Sequence, residues 1–584
     1  MHRKSIGFIE FIKKNILIIL IGFFCSALIS AVAVYAGLSL GSFVLPCIFS
    51  CVASVALSLL FKFKTNDYTR LDLLRSAMIS GTSSAAVLSA VMPALISANG
   101  EAYGEIPKAT YSLSEEISGF DTYFVNKKIY ISEVAANGSN AEAAISLHDV
   151  ALPIILICIC AFVIAVVFSF FRRKAYVSKR EYDFPEAVVG ETVMTADKKG
   201  VRRMLIGGAV GAVITIAREL INAIPFSLEF KGLREKTNIG IGFALSPLIG
   251  GLGYIAGFKR SLAMMIGAIA AHIAAVPIIV SMGIAENYEN ASSLRMQIGL
   301  GLLIGAGLGT LLDLMLKKIE ERERIVINDQ TEKLTNEPTV TKLLRICSKL
   351  AIFVVVYLLL YVSGLSAPFA LFITASGYLA CHAASSLKGE TGITGPYIII
   401  GIAAALVVTC GLIFKLTSSD MFLATLFIGA ACAFSGELTQ SYKMGHFFAT
   451  PHYEQLAMHI IGAIGSTAAT LICFFAIAEN GDITANPAAT LAKEFFTNGM
   501  NLSVVWLSAA ISAALVLLRL PAVSVSLGIL MPFSYTACFF VGGLVRLIQT
   551  RAFSKKDFAS ASGLAAGECT AIVLIALVAM LIGV

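Results

Sequence analysis

The sequence predicts an all-α polytopic membrane protein with about sixteen transmembrane helices in two parallel repeats of eight, including broken or re-entrant segments. Three observations predict this fold class. The mean hydropathy is +0.83 and only 14% of the 584 residues are charged, which is unlike a soluble globular domain. Sixteen apolar stretches each approach the roughly 20 residues that cross a bilayer. Those stretches form two blocks of eight that share motifs.

The predicted spans follow one another with short connections. They lie near residues 16–36, 40–61, 72–97, 151–171, 202–222, 238–257, 261–283, 296–316, 348–363, 367–386, 396–415, 421–440, 454–477, 501–519, 524–548 and 562–584. The two repeats would occupy residues 1–325 and 326–584. The longest polar stretch, about 100–150, is acidic, and we expect it to form an extracytoplasmic loop.

Basic residues gather at alternate ends of the spans, as the positive-inside rule requires. A cytoplasmic N-terminus is predicted by Arg3, Lys4, Lys13 and Lys14. We attribute the net charge of +7 to this orientation and expect no nucleic-acid partner. Arg546 and Arg551 would lie on the outer side if all sixteen segments crossed. Either a late segment is re-entrant or the count is off by one.

Similar motifs recur in the two blocks. Tyr35-Ala-Gly-Leu-Ser39 ends the first span, and Tyr361-Val-Ser-Gly-Leu-Ser366 ends the ninth. Gly190-Glu191 precedes the fifth span, as Gly436-Glu437 precedes the thirteenth. Because eight is even, both blocks begin on the same side of the membrane, so the repeats are parallel. Paired repeats with a substrate site between them are typical of secondary transporters.

Several motifs occur in the order found in one family. They are Tyr35-Ala-Gly-Leu-Ser-Leu-Gly41, Arg75-Ser-Ala, Tyr182-Asp-Phe-Pro-Glu-Ala187, Ser246-Pro-Leu-Ile-Gly-Gly-Leu-Gly-Tyr254, Gly389-Glu-Thr-Gly-Ile393, Gln440-Ser-Tyr-Lys-Met-Gly-His446, Leu520-Pro521 and Ser562-Gly-Leu-Ala-Ala-Gly-Glu568. Over nearly its whole length the chain resembles the oligopeptide transporter family, which includes the yellow-stripe-like metal–chelate transporters. Glu186 follows Pro185 where plant relatives have a small hydroxyl residue, which favours a prokaryotic branch.

The resemblance implies proton-coupled import of small peptides, or of metal chelates such as iron–siderophore complexes, by alternating access across a bacterial inner membrane. Its expected partners are the substrate, protons and lipid, with a homo-oligomer possible. The rival interpretation is a passive channel or a membrane assembly component without a transport cycle. The sequence has no phosphate-binding glycine loop followed by lysine and a hydroxyl residue, so we expect no nucleotide hydrolysis.

Four glutamates beside glycines are the main candidates for substrate binding or proton coupling: Glu191, Glu390, Glu437 and Glu568. Each lies at the end or break of a predicted span, where interrupted helices can bind charged groups inside a cavity. A carboxylate there could take up a proton or bind a substrate amine. The alternative for each is capping a helix or bracing the repeats.

The remaining candidates are less specific. His272 and His382 lie within predicted spans and could relay protons or be hydrogen-bonded core residues. Lys443 and His446 could meet an anionic substrate or occupy an ordinary loop. Phe184-Pro185 should interrupt a helix and make 182–197 a half-helix or re-entrant segment. Tyr35 is a further candidate site residue because it begins the family-like motif at residues 35–41.

The twelve cysteines all lie in or beside apolar spans, where free cysteine behaves as a small buried hydrophobe. No ligand spacing indicates a metal site. We therefore expect no cofactor, no bound metal and no enzymatic activity.

Overall fold

The architecture comes from a computed structural model. It describes residues 8–38, 46–60, 68–80, 97–98, 120–125, 128–134, 140–177, 184–195, 198–221, 223–327, 339–392, 418–480, 501–553 and 557–582, with isolated positions between 403 and 414. Helices dominate these residues, which confirms the predicted fold class. Whether the chain consists of two eight-helix repeats stays a prediction.

The first part of the chain contains α1 (Phe8–Leu38), α2 (Pro46–Leu60), α3 (68–80), α4 (Leu147–Val177), α5 (Pro185–Thr195), α6 (Lys198–Glu219), α7 (Lys231–Thr237), α8 (Pro247–Ala256), α9 (Phe258–Ala268), α10 (Val276–Ser281) and α11 (Tyr288–Ile327). A π-helix, Ile269–Ala275, joins α9 to α10. Pro277 follows it by two residues and has no backbone N–H to donate, which accounts for the altered helical register.

The second part contains α12 (Thr339–Val362), α13 (Ala367–Thr391), α14 (Ser418–Phe447), α15 (His452–Asn480), α16 (Leu502–Leu517), α17 (Ala522–Leu530), α18 (Phe533–Phe553) and α19 (Phe558–Ile582). Among the described residues, eight helices are long and apolar enough to cross a membrane. Four shorter apolar helices accompany them, including α2 and α8.

Strands are few in the described chain. Antiparallel pairing joins β2 (Phe120–Val125) to β3 (Lys128–Val134) and β3 to β4 (Asn140–Ser146), while the short β1 (Ser97–Ala98) pairs parallel to β2. This sheet occupies part of the acidic segment predicted to be a loop. A separate hairpin pairs β5 (Ser227–Glu229) with β6 (Gly242–Ala244).

Two of the predicted continuous spans are interrupted. The 238–257 stretch contains β6, and its helix α8 starts only at Pro247, with ten residues and about 15 Å of length. The 524–548 stretch breaks between α17 and α18 at Met531-Pro532. In both cases proline opens a helix rather than continuing one, because it has no N–H for the preceding turn.

Close helix contacts depend on glycine in these apolar surfaces. A Cβ added to Gly211 of α6 would lie 2.5 Å from the carbonyl oxygen of Leu564 in α19, so only hydrogen fits there. Small residues let helix backbones approach in this way in membranes. The outer face of α6 remains apolar, with Leu205 and Val213 exposed, as expected of a surface that meets lipid. The α6–α19 pair brings Arg218 next to Glu568.

Candidate functional site

Four buried polar side chains meet where α5, α13 and α14 converge. Lys388 Nζ donates to both carboxylate oxygens of Glu186 at 2.8 Å and to Glu437 Oε1 at 2.6 Å. Gln440 Nε2 donates to Glu186 Oε2 at 3.2 Å. Glu186, Lys388 and Gln440 are 0% exposed and Glu437 is 4% exposed. We call these four residues the acid–lysine cluster.

Local sequence sets the geometry of this cluster. Phe184 has a φ of 49°, and its N–H bonds the carbonyl of Gly389 at 3.0 Å, which joins the start of α5 to the end of α13. Pro185 then opens α5 with Glu186 in its first turn. Lys388 occupies the last turn of α13. A carboxylate at a helix N-terminus and an ammonium at a C-terminus are both favoured by the helix dipoles.

The charges in the acid–lysine cluster do not balance. It contains two carboxylates and one ammonium, and among the described residues Glu437 Oε2 and Gln440 Oε1 have no hydrogen-bond partner. An unbalanced charge away from water is costly. A proton on one carboxylate would make the cluster neutral, and a cationic substrate group would do the same. The arrangement is therefore suited to reversible binding of one positive charge.

A second buried charged group surrounds Glu568. Arg218 Nη2 donates to Glu568 Oε1 at 2.9 Å, and the Leu248 N–H donates to Oε2 at 2.7 Å. Ser246, the N-cap of α8, donates to both oxygens at 3.1 and 2.9 Å. Glu568 thus caps α8 and pairs with arginine, which is the bracing alternative anticipated for this residue.

A third buried network joins α3, α14 and α15. Arg75 Nη2 donates to Asp72 Oδ1 at 2.7 Å and to Ser441 Oγ at 2.8 Å. Gln455 Nε2 donates to Asp72 Oδ2 at 2.9 Å. His459 Nδ1 lies 3.0 Å from the hydroxyl oxygen of Ser80 in α3. Because its main charges are paired one to one, we interpret this network as a brace between helices.

The two predicted intramembrane histidines are both buried. His382 Nδ1 lies 2.5 Å from the hydroxyl of Tyr176, and its ring packs edge-on against Phe168. His272 lies in the π-helix, where Nε2 is 3.0 Å from the Met531 carbonyl oxygen and 3.2 Å from Arg295 Nη1. The first is integrated into an aromatic core, and the second lies at the α17–α18 break.

The other candidates lie apart from the cluster or at its edge. Lys443 donates to the Val177 carbonyl at 2.7 Å and so caps the end of α4. His446 is exposed in the last turn of α14. Tyr35 is half-buried against the apolar core.

Two candidate glutamates are only half-buried. Glu191 lies on α5, and its carboxylate forms no ion pair among the described residues. Glu390 follows Lys388 by two positions on α13. Of the four predicted glutamates, Glu437 alone joins the acid–lysine cluster. The structure does not bring the four together.

Two central members of the cluster were not selected from the sequence. Glu186 and Lys388 are separated by 202 positions, so only the fold pairs them. Both were nevertheless next to selected residues: Glu186 follows Phe184-Pro185, and Lys388 precedes Gly389-Glu390. A lysine just beyond a predicted span, with no other basic residue beside it, was the signal that could have identified Lys388.

Apolar spans, half-helices that begin at prolines, and charged clusters buried between them define a class: multi-pass helical membrane transporters. Comparison with known proteins gives the family. The chain belongs to the family described as "OPT oligopeptide transporter protein", whose model matches residues 15–579. This confirms the family resemblance seen in the sequence motifs, and the family's members are transporters rather than enzymes.

A bacterial relative extends the comparison. The chain is 25% identical over 483 residues to a protein of Haemophilus influenzae named "Putative oligopeptide transporter". The match covers 68% of this chain and 75% of the relative.

Proposed function

We propose that this protein is a secondary active transporter that imports small peptides or metal chelates, including siderophore complexes, across the bacterial inner membrane together with protons. Family membership supports transport, and the name of the Haemophilus influenzae relative supports a peptide substrate. The basic N-terminal residues support a cytoplasmic N-terminus. Proton coupling and alternating access are the further steps of the proposal.

The observation that carries proton coupling is the unequal charge of the acid–lysine cluster. Lys388 is shared by Glu186 and Glu437, and the free oxygen of Glu437 is the group available for a proton. Glu186 is held more firmly, since both of its oxygens accept from Lys388 and one also accepts from Gln440. Glu437 is therefore our proton carrier.

The position of the cluster suggests how a proton could affect the conformation. Glu186 lies in the first predicted repeat, and Lys388 and Glu437 lie in the second. A proton on Glu437 weakens its bond to Lys388 and leaves the lysine paired with Glu186 alone. The ion pair between α13 and α14 is then weakened, while the ion pair between α5 and α13 remains. Such a change could favour one of two alternating arrangements of the helices.

The test is uptake by purified protein reconstituted in lipid vesicles. Labelled di- to tetrapeptides and iron-loaded siderophores would be compared, each with and without an inward proton gradient. We expect one class to accumulate above its outside concentration only when the gradient is present. Downhill flux without accumulation would instead support a passive channel. Accumulation that is independent of the proton gradient would refute proton coupling. The class of compound that accumulates, peptides or iron-loaded siderophores, would identify the substrate.

A further inference from the structure

Three buried sulfur-containing side chains meet where α2, α5 and α14 pack together. Cys47 Sγ of α2 is 3.6 Å from Met444 Sδ of α14. Cys51 follows Cys47 by one helical turn, on the same face of α2, and the two thiols interact with each other. All three side chains are 0% exposed. We call Cys47, Cys51 and Met444 the sulfur cluster.

The backbone of α5 leaves room for these sulfur atoms. A Cβ added to Gly190 would lie 2.6 Å from Cys51 Sγ and 3.0 Å from Met444 Sδ. Only hydrogen therefore fits at residue 190, and both sulfur atoms face the same point on α5. Packing alone could account for one sulfur–sulfur contact, whereas three sulfur atoms that converge on one place form a set of metal ligands.

The spacing within the sulfur cluster matches that of ligands around a single metal ion. Two sulfur atoms that each lie about 2.3 Å from one metal, at angles of about 105–120°, are about 3.6–4.0 Å apart. The distance of 3.6 Å between Cys47 Sγ and Met444 Sδ lies at the lower end of that range. A metal could therefore bind these two atoms with little movement of α2 relative to α14.

The ligand types favour one metal. Soft thiolate and thioether sulfur atoms select copper(I). Structural zinc sites are almost always four-coordinate, and calcium and magnesium take oxygen ligands. Two cysteines and one methionine provide three soft ligands, which fits copper(I) better than these other ions.

The charged groups around the sulfur cluster can compensate a metal–thiolate complex. Copper(I) with two thiolates carries one net negative charge. The Arg75 guanidinium interacts with both thiols. It is paired with Asp72 through Nε and Nη2, while Nη1 has no hydrogen-bond partner among the described residues. The Glu186 carboxylate also interacts with Cys47, but Lys388 binds both of its oxygens.

We propose that the sulfur cluster binds one copper(I) ion through Cys47 Sγ, Cys51 Sγ and Met444 Sδ. The ion enters already reduced and displaces the two thiol protons, so no electron is transferred. This metal site does not depend on the proposed transport function and is an additional property of the protein. Sequence spacing did not indicate it, because Met444 is 397 positions from Cys47.

Copper in the sulfur cluster would join α2 to α14 beside the acid–lysine cluster. Cys47 Sγ donates to the backbone carbonyl of Glu186 at 3.8 Å, in the first turn of α5. Because the ligands come from different helices, bound copper should stabilise the folded protein. The ligands are fully buried, so we expect copper to exchange slowly and to be loaded best during synthesis of the protein.

The copper content of the purified full-length protein tests this assignment. The protein would be produced in copper-supplemented cells, purified without oxygen and washed with the copper(I) chelator bathocuproine disulfonate. We expect about one retained copper per protein, with only sulfur ligands at about 2.3 Å in X-ray absorption spectra. Cys47→Ser, Cys51→Ser and Met444→Leu should each retain less than about a tenth of that copper, since each removes one of three soft ligands. Copper should also raise the SDS concentration needed to unfold wild type, but not Met444→Leu.

Cys160→Ser and Met458→Leu are the matched controls. Each replaces a side chain that is 0% exposed and lies outside the sulfur cluster, so both variants should keep their copper. Met444→Leu nearly conserves volume and keeps the test decisive if a serine variant fails to fold. The assignment is overturned if folded wild type retains no copper, if the folded cluster variants retain as much as the controls, or if nitrogen or oxygen atoms surround the metal.

Discussion

Removal of Lys388 should be among the most destabilising single changes in this protein. Lys388 is 0% exposed and donates to three carboxylate oxygens at 2.6 to 2.8 Å. Lys388→Met preserves much of the side-chain volume but leaves Glu186 and Glu437 without their shared cation. Breaking a buried ion pair from one side costs about 3–5 kcal/mol, because the remaining charge stays buried and unpaired. That cost corresponds to a folding constant about 150- to 5,000-fold smaller.

The assay is unfolding of the purified protein in mild detergent by added SDS, followed by loss of helical circular dichroism. Lys259→Met is the control, since Lys259 is exposed and the substitution removes the same charge. The double variant Glu186→Gln with Lys388→Met should recover part of the loss, because one of the two unpaired carboxylates becomes neutral. A Lys388→Met protein as stable as the Lys259→Met control would refute the energetic role of this ion pair.

Three further substitutions test other parts of the structure. Glu568→Ala should cost about 1.5–3 kcal/mol in the same unfolding assay, because Arg218 loses one of its two carboxylate partners, keeping Glu219, and α8 loses its cap. A Glu568→Ala protein that unfolds like wild type would contradict the capping role. Glu191→Gln should change stability by less than about 0.5 kcal/mol, since no ion pair of this half-buried side chain is lost; a larger change would reveal a bond absent from the structure. Gly253→Ala should cost about 1–3 kcal/mol or more by overpacking, since the added Cβ would lie 2.0 Å from the Phe539 carbonyl oxygen; unchanged unfolding would show that α8 and α18 are less tightly packed.

Helical class and membrane location were predictable from local sequence, because both follow from stretches of apolar residues. The half-helix at 185–195 was also predictable, since Phe184-Pro185 stops a helix whatever surrounds it. Hydropathy alone failed at 238–257 and 524–548. There, Pro247 and Pro532 divide stretches that are apolar on both sides, so the hydropathy averaged over each stretch does not reveal the break.

The candidate site was predictable only in part, because its chemistry depends on pairing between distant segments. Glu437 was identified by its place beside glycine in a repeated motif. Its partner Lys388 and the competing carboxylate of Glu186 became visible only when α5, α13 and α14 were brought together. Similarly, Glu568 had the same local signature as Glu437, yet its contacts are with Arg218 and the start of α8, as expected of a residue that braces helices.

The most direct test of proton coupling is acidification of the vesicle interior during uptake. Vesicles containing a trapped pH-sensitive dye would receive the substrate found in the uptake screen, for wild type and for Glu437→Gln. Wild type should acidify the interior in proportion to substrate uptake. Glu437→Gln should still exchange labelled for unlabelled substrate but carry no protons. Equal acidification per substrate by the two proteins, or none by wild type during uptake, would contradict the assignment of Glu437 as proton carrier.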